Sequence, residues 1–257
     1  MNVGWDPHGR IAVVTGASSG IGAATARRLA ALGMQVVAVA RRGERLAELA
    51  EERPGIEAYV ADVTDTAAVD ELAAHVDARY GACHALINNA GAGGPGFAAR
   101  GDLEATLAVI DLNLGGMLRC TAAFAELLTA SAPSRVVNIA SVAGKVGVGP
   151  AGYAASKFGM VGASEALATS WAPRGVSVCQ LNPGFIATEG FPQAELRRSP
   201  LGRLVGRPED VARAVHDVLL HGQPERTVPR WYRAVVVARH LAPPAFRAAI
   251  ARVDPPA

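Results

Sequence analysis

Short apolar runs alternate along the chain with longer segments in which apolar residues recur every three to four positions. The short runs predict six strands, at residues 11–15, 36–40, 56–61, 85–87, 135–139 and 176–181. The longer segments predict helices at residues 21–32, 45–52, 67–79, 103–128, 153–171 and 208–220. Strands that alternate with helices predict right-handed crossovers and a parallel sheet with helices on both faces.

No internal repeat or low-complexity linker interrupts this alternation, so the 257 residues are predicted to form a single domain. Open parallel sheets bind their ligands beyond the carboxyl ends of the strands. The turns that follow the strands are therefore the places to look for chemistry.

The turn after the first predicted strand reads TGASSGIG at residues 15–22. Glycines at 16, 20 and 22 let the backbone turn tightly and approach a pyrophosphate. The following helix offers free N–H groups and the positive end of its dipole to an anion. A purely structural turn is the alternative, and the position between a first strand and a helix favours the phosphate site.

The turn after the second strand points to a choice of cofactor. It carries Arg41 and Arg42. A carboxylate at this place would bind the ribose hydroxyl of NAD(H), and the turn has none. Two guanidinium groups suit a 2′-phosphate, so NADP(H) is preferred over NAD(H). A solvated basic helix start is the alternative. After the third strand, Asp62 and Val63 are candidates to contact adenine, or Asp62 caps the next helix, and one aspartate can do both.

Tyr153 and Lys157 are four positions apart in a predicted helix, which places both side chains on one face. A neighbouring ammonium lowers the pKa of a phenol, so Tyr153 is a candidate general acid for carbonyl reduction and base for alcohol oxidation. Ser141 follows the fifth strand, where its hydroxyl can donate a hydrogen bond to a substrate oxygen. For the Tyr–Lys spacing alone, simple helix packing is the alternative.

Asn113 lies in an apolar helical segment, where a buried amide needs a hydrogen-bond partner. A break in that helix, holding water near Lys157, would supply the partner.

Together these features make the chain resemble the short-chain dehydrogenase/reductase family. The resemblance covers about residues 10–222 and rests on TGASSGIG at 15–22, Asp62-Val63, NNAG at 88–91, Asn113, Ser141, YAASK at 153–157 and PGFIAT at 183–188. It implies an α/β fold, a Rossmann-type doubly wound parallel sheet of about seven strands. The loop between Ser141 and Tyr153 is one residue shorter than in many members.

The resemblance also implies roles for individual residues. Tyr153 is the general acid/base, Lys157 lowers its pKa and binds the nicotinamide ribose, and Ser141 polarises the carbonyl. Asn113 supports a water-linked proton relay through Lys157. The cofactor is expected to contact Gly16, Ser18, Ser19, Gly20, Ile21, Gly22, Arg41, Arg42, Asp62, Val63, Asn89, Ala90, Gly91, Tyr153, Lys157, Pro183, Gly184, Ile186 and Thr188.

Residues 186–206 are expected to form a lid over the substrate, opposite the loop at 91–97. The apolar residues in and next to the lid suggest a hydrophobic ketone, aldehyde or secondary alcohol, with ordinary packing as the alternative. These residues are Phe185, Phe191, Leu196, Leu201 and Leu204.

Residues 226–257 are predicted to be a C-terminal extension. Six arginines and no carboxylate lie between Arg226 and Arg252, and Pro243-Pro244 divides the segment into two short pieces. A basic amphipathic piece suits peripheral contact with an anionic membrane. Packing over the active site or a neighbouring subunit is the preferred alternative, because two short pieces bury little area in lipid.

Composition limits the remaining function classes. With 50% hydrophobic residues, 19% charged residues and a net charge of +2, the chain fits a soluble globular protein and not a general nucleic-acid binder. No secretory signal or spanning apolar segment is evident. Three widely spaced cysteines suggest buried thiols in a cytoplasmic protein, and no metal site is predicted. The family resemblance suggests a homodimer or homotetramer.

The sequence therefore predicts an NADP(H)-dependent oxidoreductase that interconverts a carbonyl and an alcohol by hydride transfer. A non-catalytic NADP(H)-binding regulatory protein is the alternative. Such a protein would not need Ser141, Tyr153, Lys157 and Asn113 together.

Overall fold

Seven parallel strands form one sheet in the order β3-β2-β1-β4-β5-β6-β7 in the computed structural model of the chain. The structure describes residues 5–96, 102–189, 198, 202 and 205–250. The strands are β1 (Ile11–Thr15), β2 (Gln35–Ala40), β3 (Ile56–Val60), β4 (Ala85–Asn88), β5 (Ser134–Ile139), β6 (Val176–Pro183) and β7 (Glu225–Val228).

Helices connect the strands and continue beyond the last of them. They are α1 (Gly20–Ala31), α2 (Gly43–Glu52), α3 (Thr66–Tyr80), α4 (Leu103–Ile110), α5 (Gly116–Ala123), α6 (Ala125–Ala130), α7 (Ala143–Val146), α8 (Ala151–Trp171), α9 (Pro208–His221), α10 (Tyr232–Leu241) and α11 (Pro243–Ile250). A π turn (Asp111–Gly115) joins α4 to α5, and a 3₁₀ turn (Ala172–Arg174) follows α8.

Alternate residues of β1 serve two hydrophobic cores on opposite faces of the sheet. Ala12 and Val14 pack in the core that includes residues of α1, α2 and α9. Ile11 and Val13 pack in the core that includes residues of α3, α5 and α6. Because both faces are covered, β1 is buried along its whole length. The doubly wound sheet predicted from the sequence is confirmed.

The order of the strands fixes where a ligand can bind. β1 pairs with β2 on one side and with β4 on the other, so the connections from these strands leave in opposite directions. This switch point opens a crevice at the carboxyl ends of β1 and β4. The turns after β1, β2, β4, β5 and β6 all lie at this edge of the sheet.

One detail of the sequence prediction is wrong. The segment at 103–128 is not one helix: besides the expected break near Asn113, which is the π turn at Asp111–Gly115, Phe124 separates α5 from α6. The seventh strand that the family resemblance implies is present as β7, at the edge of the sheet. Its sequence, Glu-Arg-Thr-Val, holds no apolar run, so the hydrophobic pattern of the chain does not reveal it.

Candidate active site

The turn after β1 is packed against the turn after β4. Gly16 has a φ of +65°, and a Cβ on it would lie 2.8 Å from the Cα of Ala90. A Cβ on Gly22 would lie 2.2 Å from the carbonyl oxygen of Gly16. These two glycines are therefore required by contacts within the protein itself, as well as by the tight turn predicted from the sequence; their role in the approach of a pyrophosphate stays a prediction.

Hydrogen bonds hold the same two turns together. The backbone N–H groups of Asn89 and Ala90 donate to the hydroxyl of Thr15, at 2.9 and 3.0 Å. The side-chain amide of Asn89 donates to the carbonyl oxygens of Thr15, at 2.9 Å, and Gly16, at 3.2 Å. Asn89 thus fixes the glycine-rich turn through its side chain.

The start of α1 has the donors of an anion site. Ser19 precedes the helix and makes no side-chain capping bond, and the first turn holds no acidic residue. The N–H groups of that turn are thus left without a side-chain cap. Arg42 adds a guanidinium group, since its Nη2 donates to the hydroxyls of Ser18, at 3.0 Å, and Ser19, at 2.7 Å. These groups fit a dinucleotide phosphate.

The two arginines after β2 point to different places. Arg42 reaches the serines of the glycine-rich turn, whereas Arg41 is 70% exposed and pairs with Asp62 at 3.5 Å. Arg45, which the sequence analysis did not select, joins Arg42 near the carboxylate of Glu189, at 3.6 and 3.7 Å respectively. Arg45 could have been found from its place in the first turn of α2.

Asp62 does not cap α3, so that alternative from the sequence is wrong. Asp65 does so, accepting hydrogen bonds from the N–H groups of Ala67 and Ala68. Asp62 instead accepts from the backbone and hydroxyl of Thr64, at 3.0 and 2.8 Å. Burial raises the pKa of Asp62, but the bonds from Thr64 and the charge of Arg41 outweigh it and lower the pKa overall. Val63 is buried, directly against Gly116.

Asn113 lies in the π turn and is fully buried. Its side chain accepts from the N–H of Ala92 at 2.8 Å and donates to the carbonyl of Ala92 at 3.0 Å and to the hydroxyl of Ser156 at 2.9 Å. The expected helix break is present, and Ala92 and Ser156 are the protein groups that bind the amide of Asn113 there. Gly91 lies beside Asn113, since its Cβ would be 2.8 Å from Oδ1 and 3.7 Å from Nζ of Lys157.

Ser141 and Tyr153 are brought together. Ser141 is buried after β5, where its hydroxyl accepts from the N–H of Ala143 at 3.1 Å and lies 3.4 Å from the carbonyl oxygen of Pro183. The hydroxyl of Ser141 also acts on the phenol of Tyr153. Burial raises the pKa of Tyr153, and hydrogen bonding to Ser141 acts in the opposite direction without cancelling it.

Lys157 lies one turn further along α8, with Nζ 5.7 Å from the centre of the Tyr153 ring. Its ammonium donates to the carbonyl oxygen of Ile139 at 2.9 Å. Burial lowers the pKa of Lys157 to about 8. Burial of the phenol is the largest influence on the pKa of Tyr153. That Lys157 lowers this pKa stays a prediction.

The turn after β6 crosses towards the other turns of the cleft. Pro183 ends the strand and Gly184 follows it. The side chain of Thr188 lies beside Gly20, since a Cβ on Gly20 would be 3.1 Å from it. Ile186 is buried and forms a short parallel bridge with Gly206. This turn therefore lies between the glycine-rich turn of β1 and the Ser141 turn of β5.

Several sequence predictions lie outside the described residues. They include Phe97 of the loop at 91–97 and most of the lid at 186–206, with Phe191, Leu196, Leu201 and Leu204. Among the described residues, no three His, Cys, Asp or Glu side chains are grouped closely enough to hold a metal ion. In the same part of the chain, no helix is both long and apolar enough to cross a membrane. All three cysteines are free and buried.

Comparison with known proteins decides the family. Residues 10–198 match the family model of the short chain dehydrogenases. The chain belongs to the short-chain dehydrogenase family. It is therefore an oxidoreductase, and the assignment to an enzyme family argues against the non-catalytic alternative.

Solved structures of other short-chain dehydrogenases have the same fold. One from Burkholderia phymatum, in complex with NAD, is 28% identical with a TM-score of 0.80, over 91% of this chain and 94% of that chain. One from Streptomyces avermitilis is 30% identical with a TM-score of 0.80, over 95% of this chain and 96% of the other.

Curated relatives among the short-chain dehydrogenases include two named reductases. A 3-oxoacyl-acyl-carrier-protein reductase of Synechocystis sp. is 39% identical over 213 residues, 79% of this chain and 86% of the relative. An acetoacetyl-CoA reductase of Shinella zoogloeoides is 35% identical over 215 residues, 80% of this chain and 89% of the relative.

Besides Arg45, sequence reasoning missed two residues of this short-chain dehydrogenase site. Ser156 lies beside Tyr153 in sequence, but its role in holding Asn113 depends on how α8 faces the π turn. Tyr232 begins α10, and a Cβ on Gly184 would lie 2.0 Å from its ring. No local pattern signals that contact, since the two residues meet only in the folded chain.

Proposed function

We propose that this short-chain dehydrogenase is an NADPH-dependent reductase of 3-oxoacyl thioesters, which it converts to 3-hydroxyacyl thioesters. The names of the two curated relatives support the substrate class. Arg42, which contacts Ser18 and Ser19 of the glycine-rich turn, supports the choice of NADPH as the cofactor. The reverse reaction, oxidation of the alcohol, uses the same groups.

One observation carries the reaction type: the hydroxyl of Ser141 acts on the phenol of Tyr153, and Lys157 lies on the same face of α8 as Tyr153. A carbonyl oxygen that sits between the two hydroxyls accepts a hydrogen bond from Ser141, which stabilises negative charge as it develops. Tyr153 then gives its proton to that oxygen. Its raised pKa keeps Tyr153 protonated at neutral pH, as an acid in the reductive direction must be.

Lys157 and Asn113 are proposed to support this proton transfer. Lys157 has a pKa of about 8, so it can exchange a proton near neutral pH. Asn113 fixes the backbone of Ala92 and the hydroxyl of Ser156 beside it. We propose that Lys157 and Asn113 form the protein part of a proton relay that leads to the hydroxyl of Tyr153.

The cleft fits a dinucleotide at its phosphate-binding end. The uncapped N–H groups of α1 and the hydroxyls of Ser18 and Ser19 can bind the pyrophosphate, and Arg42 can bind a 2′-phosphate. When bound, the cofactor supplies the hydride. The last residue of β6 and the turn after it, residues 183–188, are proposed to orient the nicotinamide end of the cofactor.

The test replaces Tyr153 by phenylalanine, which removes the proton and keeps the ring. We expect the rate of NADPH oxidation with acetoacetyl-CoA to fall by more than about a thousandfold, because a general acid contributes about this much. NADPH binding, measured by fluorescence, should change by less than about twofold, as most of its binding surface is untouched.

The matched control is Tyr80→Phe. Tyr80 also has its hydroxyl hydrogen-bonded, to Glu57, but at the β3 edge of the sheet. Loss of the Tyr80 hydroxyl should leave the rate of NADPH oxidation unchanged. Near-normal turnover in Tyr153→Phe would contradict the assigned role, and a wild-type protein inactive on every 3-oxoacyl thioester tried would contradict the substrate class.

A further inference from the structure

The C-terminal extension places one side chain at the active-site edge of the sheet. Tyr232 is 6% exposed, although it lies in α10, a helix with exposed apolar residues such as Val237 and Leu241. Its ring packs with Val142 and Val146, which follow Ser141, and with Val235 and Val236 of its own helix. The extension is therefore attached to the turn that carries Ser141.

The same ring is in contact with the turn after β6. A Cβ on Gly184 would lie 2.0 Å from Cε2 and 2.4 Å from Cζ of Tyr232, so the ring fills the space over this glycine. The hydroxyl of Tyr232 accepts a hydrogen bond from the backbone N–H of Phe185 at 3.2 Å. One side chain thus holds two consecutive residues of the turn.

Backbone hydrogen bonds link these contacts to Ser141. Gly184 N–H donates to the carbonyl of Val228 at 2.8 Å, and Val142 N–H donates to the carbonyl of Pro183 at 2.9 Å. The hydroxyl of Ser141 lies 3.4 Å from that same Pro183 carbonyl. A displacement of Pro183 therefore moves both the Val142 backbone and a carbonyl oxygen that can accept the Ser141 proton.

The position of Pro183 matters because Ser141 has only one proton to donate. The carbonyl of Pro183 competes for that proton with a substrate oxygen. At 3.4 Å the bond to Pro183 is long, and a long bond competes weakly. If the turn moved closer to Ser141, its hydroxyl would be held by the backbone instead of the substrate.

We propose that Tyr232 is a positioning residue of the active site, which holds Pro183 and Gly184 where the hydroxyl of Ser141 remains available to the substrate. This proposal rests on the proposed function. It assigns to the extension a part in catalysis that the membrane-contact and subunit-contact alternatives do not include.

The experiment uses Tyr232→Phe in the full-length protein, because this change removes the hydrogen bond to Phe185 and keeps the ring. We expect kcat for acetoacetyl-CoA to fall about tenfold, while KM and the Kd of NADPH change less than about twofold. A merely structural role would not separate kcat from KM in this way. Tyr80→Phe, at the other edge of the sheet, should leave all three constants unchanged.

A second readout does not depend on activity. Hydrogen exchange at the Phe185 amide should become at least about tenfold faster in Tyr232→Phe, since the amide loses its acceptor, and stay unchanged in Tyr80→Phe. Unchanged exchange would overturn the contact, and faster exchange with an unchanged kcat would overturn the positioning role. If the wild type were inactive, the proposed function would fail and the positioning role with it, while exchange at Phe185 would show whether Tyr232 still holds the turn.

Discussion

Glycines lie in close contact on both sides of the cleft, but their partners come from different parts of the chain. On the β1 side, formed by the turns after β1, β2 and β4, Gly16 and Gly22 are packed against each other and against Asn89 and Ala90. On the β6 side, formed by the turns after β5 and β6, Gly184 is packed against the ring of Tyr232 from the extension. The first arrangement combines backbone atoms of Gly16 and Ala90 with the side-chain amide of Asn89, and the second depends on one side chain alone.

This difference sets how each side can vary. Backbone that meets backbone has no smaller substitute, so the β1 side is expected to tolerate almost no change at its glycines. A ring that meets a glycine can be replaced by a smaller side chain. The β6 side can therefore be adjusted by changes in a distant segment, which makes it the part of the cleft where the reaction rate is open to tuning.

The largest effect is expected from Gly22→Ala. The new Cβ would lie 2.2 Å from the carbonyl oxygen and 2.7 Å from the carbonyl carbon of Gly16, and neither atom can move without the turn. We expect the free energy of unfolding to fall by about 3 kcal/mol, at the upper end for an overpacked site. Urea denaturation followed by circular dichroism measures the change.

A second variant checks that backbone is the cause. Asn89→Ala removes the side-chain amide that lies 2.6 Å from the same Cβ position. Added to Gly22→Ala, it should give no rescue, because the Gly16 carbonyl remains. A double variant as stable as Asn89→Ala alone would show that the amide, and not the backbone, made the contact.

The difference between contacts local in sequence and contacts made only in the folded chain explains which parts of the fold and the site could be predicted from the sequence. Six strands are predicted because each reads as a short run rich in apolar residues, and the turns at 15–22 and 88–91 are selected because their residues lie together in sequence. The edge strand β7 reads Glu-Arg-Thr-Val and has no such run. The π turn around Asn113 was expected only as a break, because its partners, Ala92 and Ser156, come from segments that meet in three dimensions.

Tyr232 is the feature of the site that the sequence predicts least. The extension was recognised from its arginines and its two prolines, and α10 and α11 are indeed divided at Pro243. Its burial could not be predicted, since nothing in the sequence of α10 distinguishes Tyr232 from the neighbouring Trp231, which is 40% exposed. The contact requires a residue without a side chain at 184, and only the fold brings that residue to it.

Lys157→Met is expected to raise stability while it abolishes activity. Lys157 lies in α8 and reaches the β6 side through its hydrogen bond to the carbonyl of Ile139, at the end of β5. Burial lowers the pKa of Lys157 from 10.5 to about 8, so below pH 8 the folded chain holds an ammonium that the unfolded chain would solvate. Removing it should stabilise the protein at pH 7 by about 3 kcal/mol. Turnover should be lost, because the lysine supports proton transfer.

The pH dependence gives the sign of this effect. Between about pH 8 and pH 10.5 the unfolded lysine binds more protons than the folded one, so the stability of the wild type rises with pH there. The advantage of Lys157→Met should therefore shrink over this window, in urea unfolding followed at several pH values. Lys145→Met, which removes ion pairs with Glu165 and Glu225 instead, should show no gain at pH 7.

A smaller effect is expected from pairing Gly184→Ala with Tyr232→Ala. Gly184→Ala places a methyl group in the space that the ring of Tyr232 occupies, and it should lower the free energy of unfolding by about 1–3 kcal/mol. The second removes that ring, so the two losses should not add. A double-mutant cycle should show a coupling of about 1 kcal/mol or more. Strict additivity would mean that the turn moves away from the ring, which would weaken the comparison between the two sides.

The smallest expected effect distinguishes the two arginines on the β1 side. Arg42→Ala should weaken NADPH binding about tenfold, or about 1.4 kcal/mol, and leave NADH binding unchanged, since a neutral ribose hydroxyl does not need the guanidinium. Arg41→Ala should change the NADPH preference by less than about threefold, because Arg41 is directed to Asp62 and away from Ser18 and Ser19. Fluorescence titration with both cofactors measures this. Equal losses from both variants would mean that the 2′-phosphate lies between the two arginines, and unchanged preference in both would contradict the choice of NADPH.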